Sequence, residues 1–139
     1  MKVSEIMTRN AEWVGPETTI WDVAQKMRDE KIGSLPVGEN DRLIGMVTDR
    51  DIVCRAVAEG LDPSKTTARQ VMSETITYCF EDQEADDAAH VMEQKHIRRL
   101  AVLNRDKRLV GILSVDDLAT RGSHELSGEV LAATSPRSN

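Results

Sequence analysis

A seven-residue pattern stands in this chain twice, and that doubling limits the fold more than any other feature. Gly45-Met46-Val47-Thr48-Asp49-Arg50-Asp51 returns as Gly111-Ile112-Leu113-Ser114-Val115-Asp116-Asp117, 66 residues later. Each copy is a glycine, two apolar residues, a hydroxyl and, three residues on, an aspartate. Upstream, Ile20, Val23, Ala24 and Met27 return as Ala85, Ala88, Ala89 and Met92 at an offset of 65. A near-constant offset makes the chain two copies of one unit. Its 139 residues suit one ordinary globular domain. A repeat of about 55 residues is marginal alone, so the two are expected to share a core.

The pattern of apolar residues repeats as well. Val3 to Met7 reads as a leading helical turn, matched by Ala68 to Met72. Glu12-Trp13-Val14 and Ile76-Thr77-Tyr78-Cys79 read as short strands. The stripe from Ile20 to Met27 falls at i, i+3, i+4 and i+7, the helical period, with Thr19 as N-cap. Ser34-Leu35-Pro36-Val37 and Leu43 to Val47 flank a polar turn and predict a hairpin. Arg99 to Leu103 and Leu109 to Leu113 predict its second copy. The near-continuous apolar character of these runs suggests strands covered on both faces. Helices are expected from Arg50 to about Ala58 and from Val115 to about Thr120. Each repeat is therefore strand, helix, strand, strand, helix, an α+β fold. The boundaries read as repeat 1 at 1–62, a linker at 63–67, repeat 2 at 68–121 and a flexible, Ser-, Gly- and Ala-rich tail at 122–139.

Chemistry is concentrated in Thr48 with Asp51 and Ser114 with Asp117. A hydroxyl opening a helix with an acid three residues on resembles a capping box, which is a structural device. Three features point further. The box prefers Glu or Gln, and both copies carry Asp. Glycine weakens a strand unless another chain or a ligand comes close. A helix N-terminus with free N–H groups attracts an anion, and a carboxylate beside it can accept both hydroxyls of a ribose. The pairing suggests a nucleotide, with phosphate at the helix start and ribose on the aspartate.

Two such units with Gly-x-x-Thr/Ser-x-x-Asp resemble a tandem pair of CBS domains, over about residues 1 to 121. The stretch from Gly45 to Pro63, with Thr-Asp-Arg-Asp-Ile-Val and then Gly-Leu-Asp-Pro, is similar to short stand-alone CBS pairs of the hypoxic-response type. The resemblance implies two β-α-β-β-α repeats packed as a pseudo-symmetric pair, with adenosine-type ligands (AMP, ADP, ATP, NAD or S-adenosylmethionine) in clefts between the repeats. Asp51 and Asp117 would then bind ribose, and Thr48 and Ser114 ribose or phosphate. Arg98 and Arg99, joined by Arg50, would meet phosphates. Val14, Ile32, Pro36 and Ala101 would line the adenine pocket. The copies differ: Gly33 and Ser34 stand where the second has Arg98 and Arg99, Val115-Asp116 replaces Asp49-Arg50, and Ala101 replaces Pro36. Two unequal sites are expected.

Other classes are disfavoured. A net charge of −6 does not suit a nucleic-acid binder, though Lys95, Arg98, Arg99, Arg105, Lys107 and Arg108 form a local basic stretch. Cys54 and Cys79 lack metal spacing and read as reduced core thiols. His90 and His96 have no ligand partners at metal spacing, so no metal is expected. No nucleophile has a His–acid partner at motif spacing, so no enzyme activity and no required cofactor are expected beyond a regulatory adenine nucleotide. Trp21 lies off the apolar stripe and is either a half-exposed helix residue or part of a dimer contact. No apolar run spans a bilayer and the N-terminus lacks a signal-peptide core, so a cytoplasmic protein without membrane contact is expected. The resemblance implies a homodimer acting on a target protein in trans. The alternative is a ligand-free dimeric scaffold in which Asp51 and Asp117 only cap helices.

Overall fold

The computed structural model describes residues 1–9, 12–74 and 76–135. The first half runs α1 (Val3–Ile6), β1 (Thr8–Arg9), α2 (Ile20–Glu30), β2 (Ser34–Glu39), β3 (Arg42–Thr48) and α3 (Asp49–Ile52). A π-helical turn, Val53–Val57, continues α3. The second half runs α4 (Ala68–Val71), β4 (Tyr78–Phe80), α5 (Ala85–Lys95), β5 (Arg99–Leu103), β6 (Leu109–Ser114), α6 (Val115–Arg121) and α7 (His124–Thr134).

The repeat is visible in local chemistry. The Thr19 side chain accepts from Asp22 N at 3.3 Å and starts α2. The α2 stripe buries Ile20, Val23 and Met27, and the α5 stripe buries Ala85, Ala88, Ala89 and Met92. Both helices stop at a left-handed residue, Lys31 and His96, with φ of 57° and 56°. That conformation turns the chain out of a helix while its N–H still meets a helix carbonyl. The β2–β3 turn places Asn40 and Asp41 at φ 54° and 63°, the tight two-residue turn whose twist matches paired strands.

The chain divides into two compact units. One takes in the chain's start, described to Arg9, together with everything from Thr77 onward; the other runs from Glu12 to Ile76. The first contains a sheet in the order β1-β6-β5-β4, with β4 parallel to β5 and the other pairs antiparallel. The second contains the β2–β3 hairpin, flanked by single bridges from Ser73 to Met46 and from Val14 to Val37. The order is the same, with the outer strands reduced to bridges. Among the described residues Glu12–Val14, read as a strand, therefore pairs only at Val14, and the strand expected from Ile76 is β4, beginning at Tyr78.

The units are cut differently from the repeats. The leading segment α1–β1 sits in the unit of the second repeat, where Val3 N donates to Gln83 O at 2.9 Å and Ala85 N to Met1 O at 2.8 Å. The matching segment, α4 with Met72 and Ser73, sits in the unit of the first repeat, where Ala68 N donates to Thr18 O at 2.8 Å. The cores follow the same exchange, each drawing on both repeats. The described apolar side chains form two clusters, one per unit. Val3, Ile6 and Met7 complete the cluster around Met92, Leu100 and Leu113; Ala68, Val71 and Met72 complete the one around Val23, Leu35 and Val47. Each borrowed segment adds apolar surface that a repeat of about 55 residues lacks.

Two further expectations change. Residues 124–134, read as part of a flexible tail, form α7, capped by Ser123 and fixed by Val130, which is fully buried. Small residues hid it, since Val130 is its one buried large apolar residue, with Leu126 packed beside it against the same cluster. Cys54, read as a core thiol, is exposed on the π-helical turn, whereas Cys79 is buried. No described helix is long and apolar enough to cross a membrane.

Candidate functional site

Both copies of the doubled motif close a capping box. In α3, the Asp51 carboxylate accepts from Thr48 N at 2.9 Å and the Thr48 hydroxyl accepts from Asp51 N at 3.0 Å. In α6, Asp117 accepts from Ser114 N at 3.0 Å and Ser114 accepts from Asp117 N at 3.1 Å. Asp closes the box as Glu does elsewhere, so the shorter acid does not by itself signal a ligand. The glycines are also explained by the chain. A Cβ on Gly45 would meet Met72 Sδ at 2.6 Å and Ser73 O at 2.9 Å; one on Gly111 would meet Thr8 O at 2.6 Å. They admit the neighbouring segment.

The start of α3 offers no open anion cradle. Thr48 N donates to Asp51, Asp49 N to Gly33 O at 2.9 Å, Arg50 N to Asp49 Oδ1 at 2.8 Å and Asp51 N to Thr48. These N–H groups, expected to face a phosphate, are consumed by the box, by the Asp49 carboxylate and by the carbonyl of Gly33. A phosphate at the start of α3 would have to be met by side chains.

Register shows which candidates come together. In one unit Arg99 lies opposite Ser114 and Ala101 opposite Ile112. In the other, Ser34 lies opposite Thr48 and Pro36 opposite Met46. Strand residues alternate between faces. Leu100, Val102 and Leu113 belong to the core cluster, so Arg99, Ala101 and Ser114 share the opposite face. Leu35, Val37 and Val47 belong to the other core, so Ser34, Pro36 and Thr48 share the equivalent face. Each of those faces ends at the aspartate of its box.

Other candidates fall elsewhere. Val14 belongs to the apolar cluster of its unit, and Ile32 packs against that cluster. Arg50 is exposed in the first turn of α3. Arg98 is exposed and its Nε donates to Thr134 Oγ1 at 2.9 Å, at the end of α7.

Three residues outside the pattern prove close to it. The Thr8 hydroxyl donates to Asp117 Oδ1 at 2.9 Å. Arg55 Nη1 lies 3.8 Å from Asp51 Oδ1 and donates to Val71 O and Met72 O. Arg121 donates to Met7 O. Arg55 and Arg121 keep the 66-residue offset, a signal present in the sequence. Thr8 had only the weaker match of Met-Thr with Met-Ser. The described residues hold no group of three or more His, Cys, Asp or Glu placed to bind a metal.

Two α+β units, each a helix-flanked hairpin whose last strand runs into a capped Thr/Ser-x-x-Asp helix, define a tandem-repeat class of fold. The chain belongs to the CBS-domain family, whose model matches residues 3–57 and again 68–123. Among its relatives, Hypoxic response protein 1 of Mycobacterium tuberculosis is 39% identical over 134 residues, covering 95% of this chain and 93% of that protein. A crystal structure of Hypoxic Response Protein I with two coordinated zinc ions aligns with a TM-score of 0.79 at 38% identity, over 87% of this chain and 98% of that one. The zinc is a property of that protein. CBSX2 in complex with AMP aligns with a TM-score of 0.73 at 24% identity, over 85% of this chain and 93% of that one, a likeness of fold.

Proposed function

We propose that this chain is a regulatory binding module for an adenosine-type ligand, AMP, ADP or ATP or else NAD or S-adenosylmethionine, acting without catalysis on a partner protein in trans. The observation that carries the reading is the shared strand face ending at a carboxylate in each unit. On it, Asp51 and Asp117 take ribose hydroxyls, and Thr48 and Ser114 take ribose or phosphate. Arg99, directly across the ladder from Ser114, meets phosphate, with Arg98 and Arg50 as further cations. Pro36 and Ala101 contact the base, backed by Val14 and Ile32. A protein of the same fold holds AMP, which makes that nucleotide the first to test. We place the module in the cytoplasm as a homodimer, with Trp21, 52% exposed, as a contact residue.

Thermal unfolding of ligand-free protein with AMP, ADP, ATP, NAD and S-adenosylmethionine tests the reading. At a ligand concentration near 100 Kd, stability rises by about 2.7 kcal/mol. An unchanged melting temperature with all five contradicts it.

The complete capping boxes favour a second reading, a ligand-free dimeric scaffold in which both aspartates serve only the helices. Under that reading Asp51→Ala lowers stability by about 1 kcal/mol and there is no nucleotide affinity to lose.

A further inference from the structure

We infer that α7 is an autoinhibitory arm: its last turn and the phosphate of a nucleotide compete for Arg98, so that binding the one loosens the other. The inference rests on the adenosine-ligand reading above and adds a regulation to that site.

Arg98 is tied to the candidate site by its backbone and to α7 by its side chain. Val115 N, in the first turn of the boxed helix α6, donates to Arg98 O at 3.1 Å. That bond holds the Arg98 backbone against the residue that follows Ser114 of the box. The side chain turns to α7, where Arg98 Nε donates to Thr134 Oγ1 at 2.9 Å. The Thr134 hydroxyl gives its own proton to Val130 O at 2.9 Å, so its oxygen meets the guanidinium as an acceptor. A planar guanidinium grips an oxyanion best through two parallel N–H groups, and Nε–H with the neighbouring Nη–H is one such fork. While Nε–H is held by Thr134, that fork cannot close on a phosphate.

The end of α7 stands in for an anion. The last carbonyls of a helix carry a partial negative charge and favour a cation beside them. The last turn of α7 has no basic residue of its own. Its cations come from the connection between α5 and β5: Arg98, and His96, whose Nδ1 lies 2.8 Å from Ala133 O. A carbonyl only accepts, so this Nδ1 carries the proton. The stand-in is weaker than a phosphate, which brings full charge, and Arg98 is exposed, so its bond to Thr134 costs little to give up. The helix itself is docked chiefly through Val130 and Leu126, while Glu129 lies in the negative field of Glu93 on α5 and of Glu125. Docking through two apolar side chains against like charges places α7 among the easier openings of the fold. By linkage, the factor by which a phosphate loosens α7 equals the factor by which losing the α7 contact tightens the phosphate.

Calorimetric titration of AMP, and separately of adenosine, into full-length wild type, Thr134→Val, Thr134→Ser, Arg98→Gln and the Arg98→Gln/Thr134→Val pair tests this, each variant first checked for a cooperative melt. Thr134→Val keeps the shape of the side chain and removes its acceptor. It is expected to bind AMP about three- to fivefold tighter than wild type, the worth of an exposed charged contact, and adenosine as wild type does. Thr134→Ser, which keeps the acceptor, binds AMP as wild type does. Arg98→Gln binds AMP more weakly, and on that background Thr134→Val changes nothing. Hydrogen exchange on wild type reads the same coupling without a substitution: the amides of α7 exchange faster with AMP than without it, and adenosine leaves them unchanged. A Thr134→Val variant that binds AMP no tighter than wild type, a gain shared by adenosine or kept in the pair, an Arg98→Gln variant that binds AMP as wild type does, or α7 amides that AMP leaves equally protected overturns the inference while leaving the ribose reading in place. No binding of either probe by any of these proteins overturns both.

Discussion

Arg121 Nη1 donates to the Met7 carbonyl at 3.1 Å, although 114 residues separate the two in the chain. Arg55 Nη1 makes the equivalent bonds to Met72 O at 3.2 Å and Val71 O at 2.9 Å. The repeated pattern therefore extends to Gly-x-x-Thr/Ser-x-x-Asp-x-x-x-Arg, and its last residue ties each motif helix to the methionine of the segment beside it. A hydrogen bond from a charged donor contributes about 1.5–3 kcal/mol. Arg55→Ala and Arg121→Ala should each lower the urea-unfolding free energy by about 1–2 kcal/mol, after discounting for exposure of the guanidinium groups. A change within 0.3 kcal/mol, about the error of such a measurement, would show the tethers to be idle.

The glycines of the motif should be far less tolerant than the glycine of α7. Backbone oxygens of Thr8 and Ser73 stand within 2.6 Å and 2.9 Å of where a Cβ would go on Gly111 and Gly45. Neither oxygen can swing aside, so Gly111→Ala and Gly45→Ala should cost about 2 kcal/mol or more. Nothing lies within 4 Å of a Cβ on Gly128, which sits inside α7. Gly128→Ala should stabilise by about 1 kcal/mol through helix propensity. Chemical denaturation of the three variants reads both signs at once.

The two cysteines should separate by reactivity. Burial pushes the Cys79 thiol up to about 12, while Cys54 is exposed. Thiolate is the reactive form. A thiol reagent at pH 8 should label one cysteine per native chain, at Cys54, and both in denaturant. Rapid labelling of both in the native protein would contradict the packing around β4.

Helix α7 carries a pH dependence of its own. The hydrogen bond Glu129 shares with Glu93 raises its pKa, followed by burial and by the negative charges of Glu93 and Glu125; His90 opposes them. Glu93 Oε1 is buried without a partner, and a protonated Glu129 supplies the donor it lacks. The folded state thus holds this proton more tightly than the unfolded state, so its stabilising effect is complete below about pH 4.5 and is lost as pH rises through the folded value. Glu129→Gln should melt above wild type at neutral pH, with the gap closing in acid. A gap that does not change with pH would dismiss the shared proton.

Where sequence and structure agree, the reason is local. The α2 and α5 stripes, the Thr19 cap and the Asn40-Asp41 turn are decided by residues a few positions apart, and their patterns are plain. The exchange of Met7-Thr8 and Met72-Ser73 between repeats was not legible, because the two segments are so alike that the pattern is the same with or without exchange. The α7 helix was hidden by its small residues, since Val130 acts through burial that only the tertiary packing reveals. At the candidate site the hydroxyl and aspartate positions stood out from the repeat. What each carboxylate oxygen already holds depends on Thr8 and Arg55, one of them 109 residues from its partner. The π-helical turn at Val53–Val57 has no signal in the sequence that we can name.

The most direct measurement is a native mass spectrum of the protein as purified, and again after addition of AMP. An adenosine-ligand module of this design should appear as a dimer whose mass exceeds two bare chains by whole nucleotides, either at once or on adding AMP. A spectrum of bare chains before and after addition, from protein that melts cooperatively, would contradict the assignment of Asp51 and its strand face to an adenosine-type ligand.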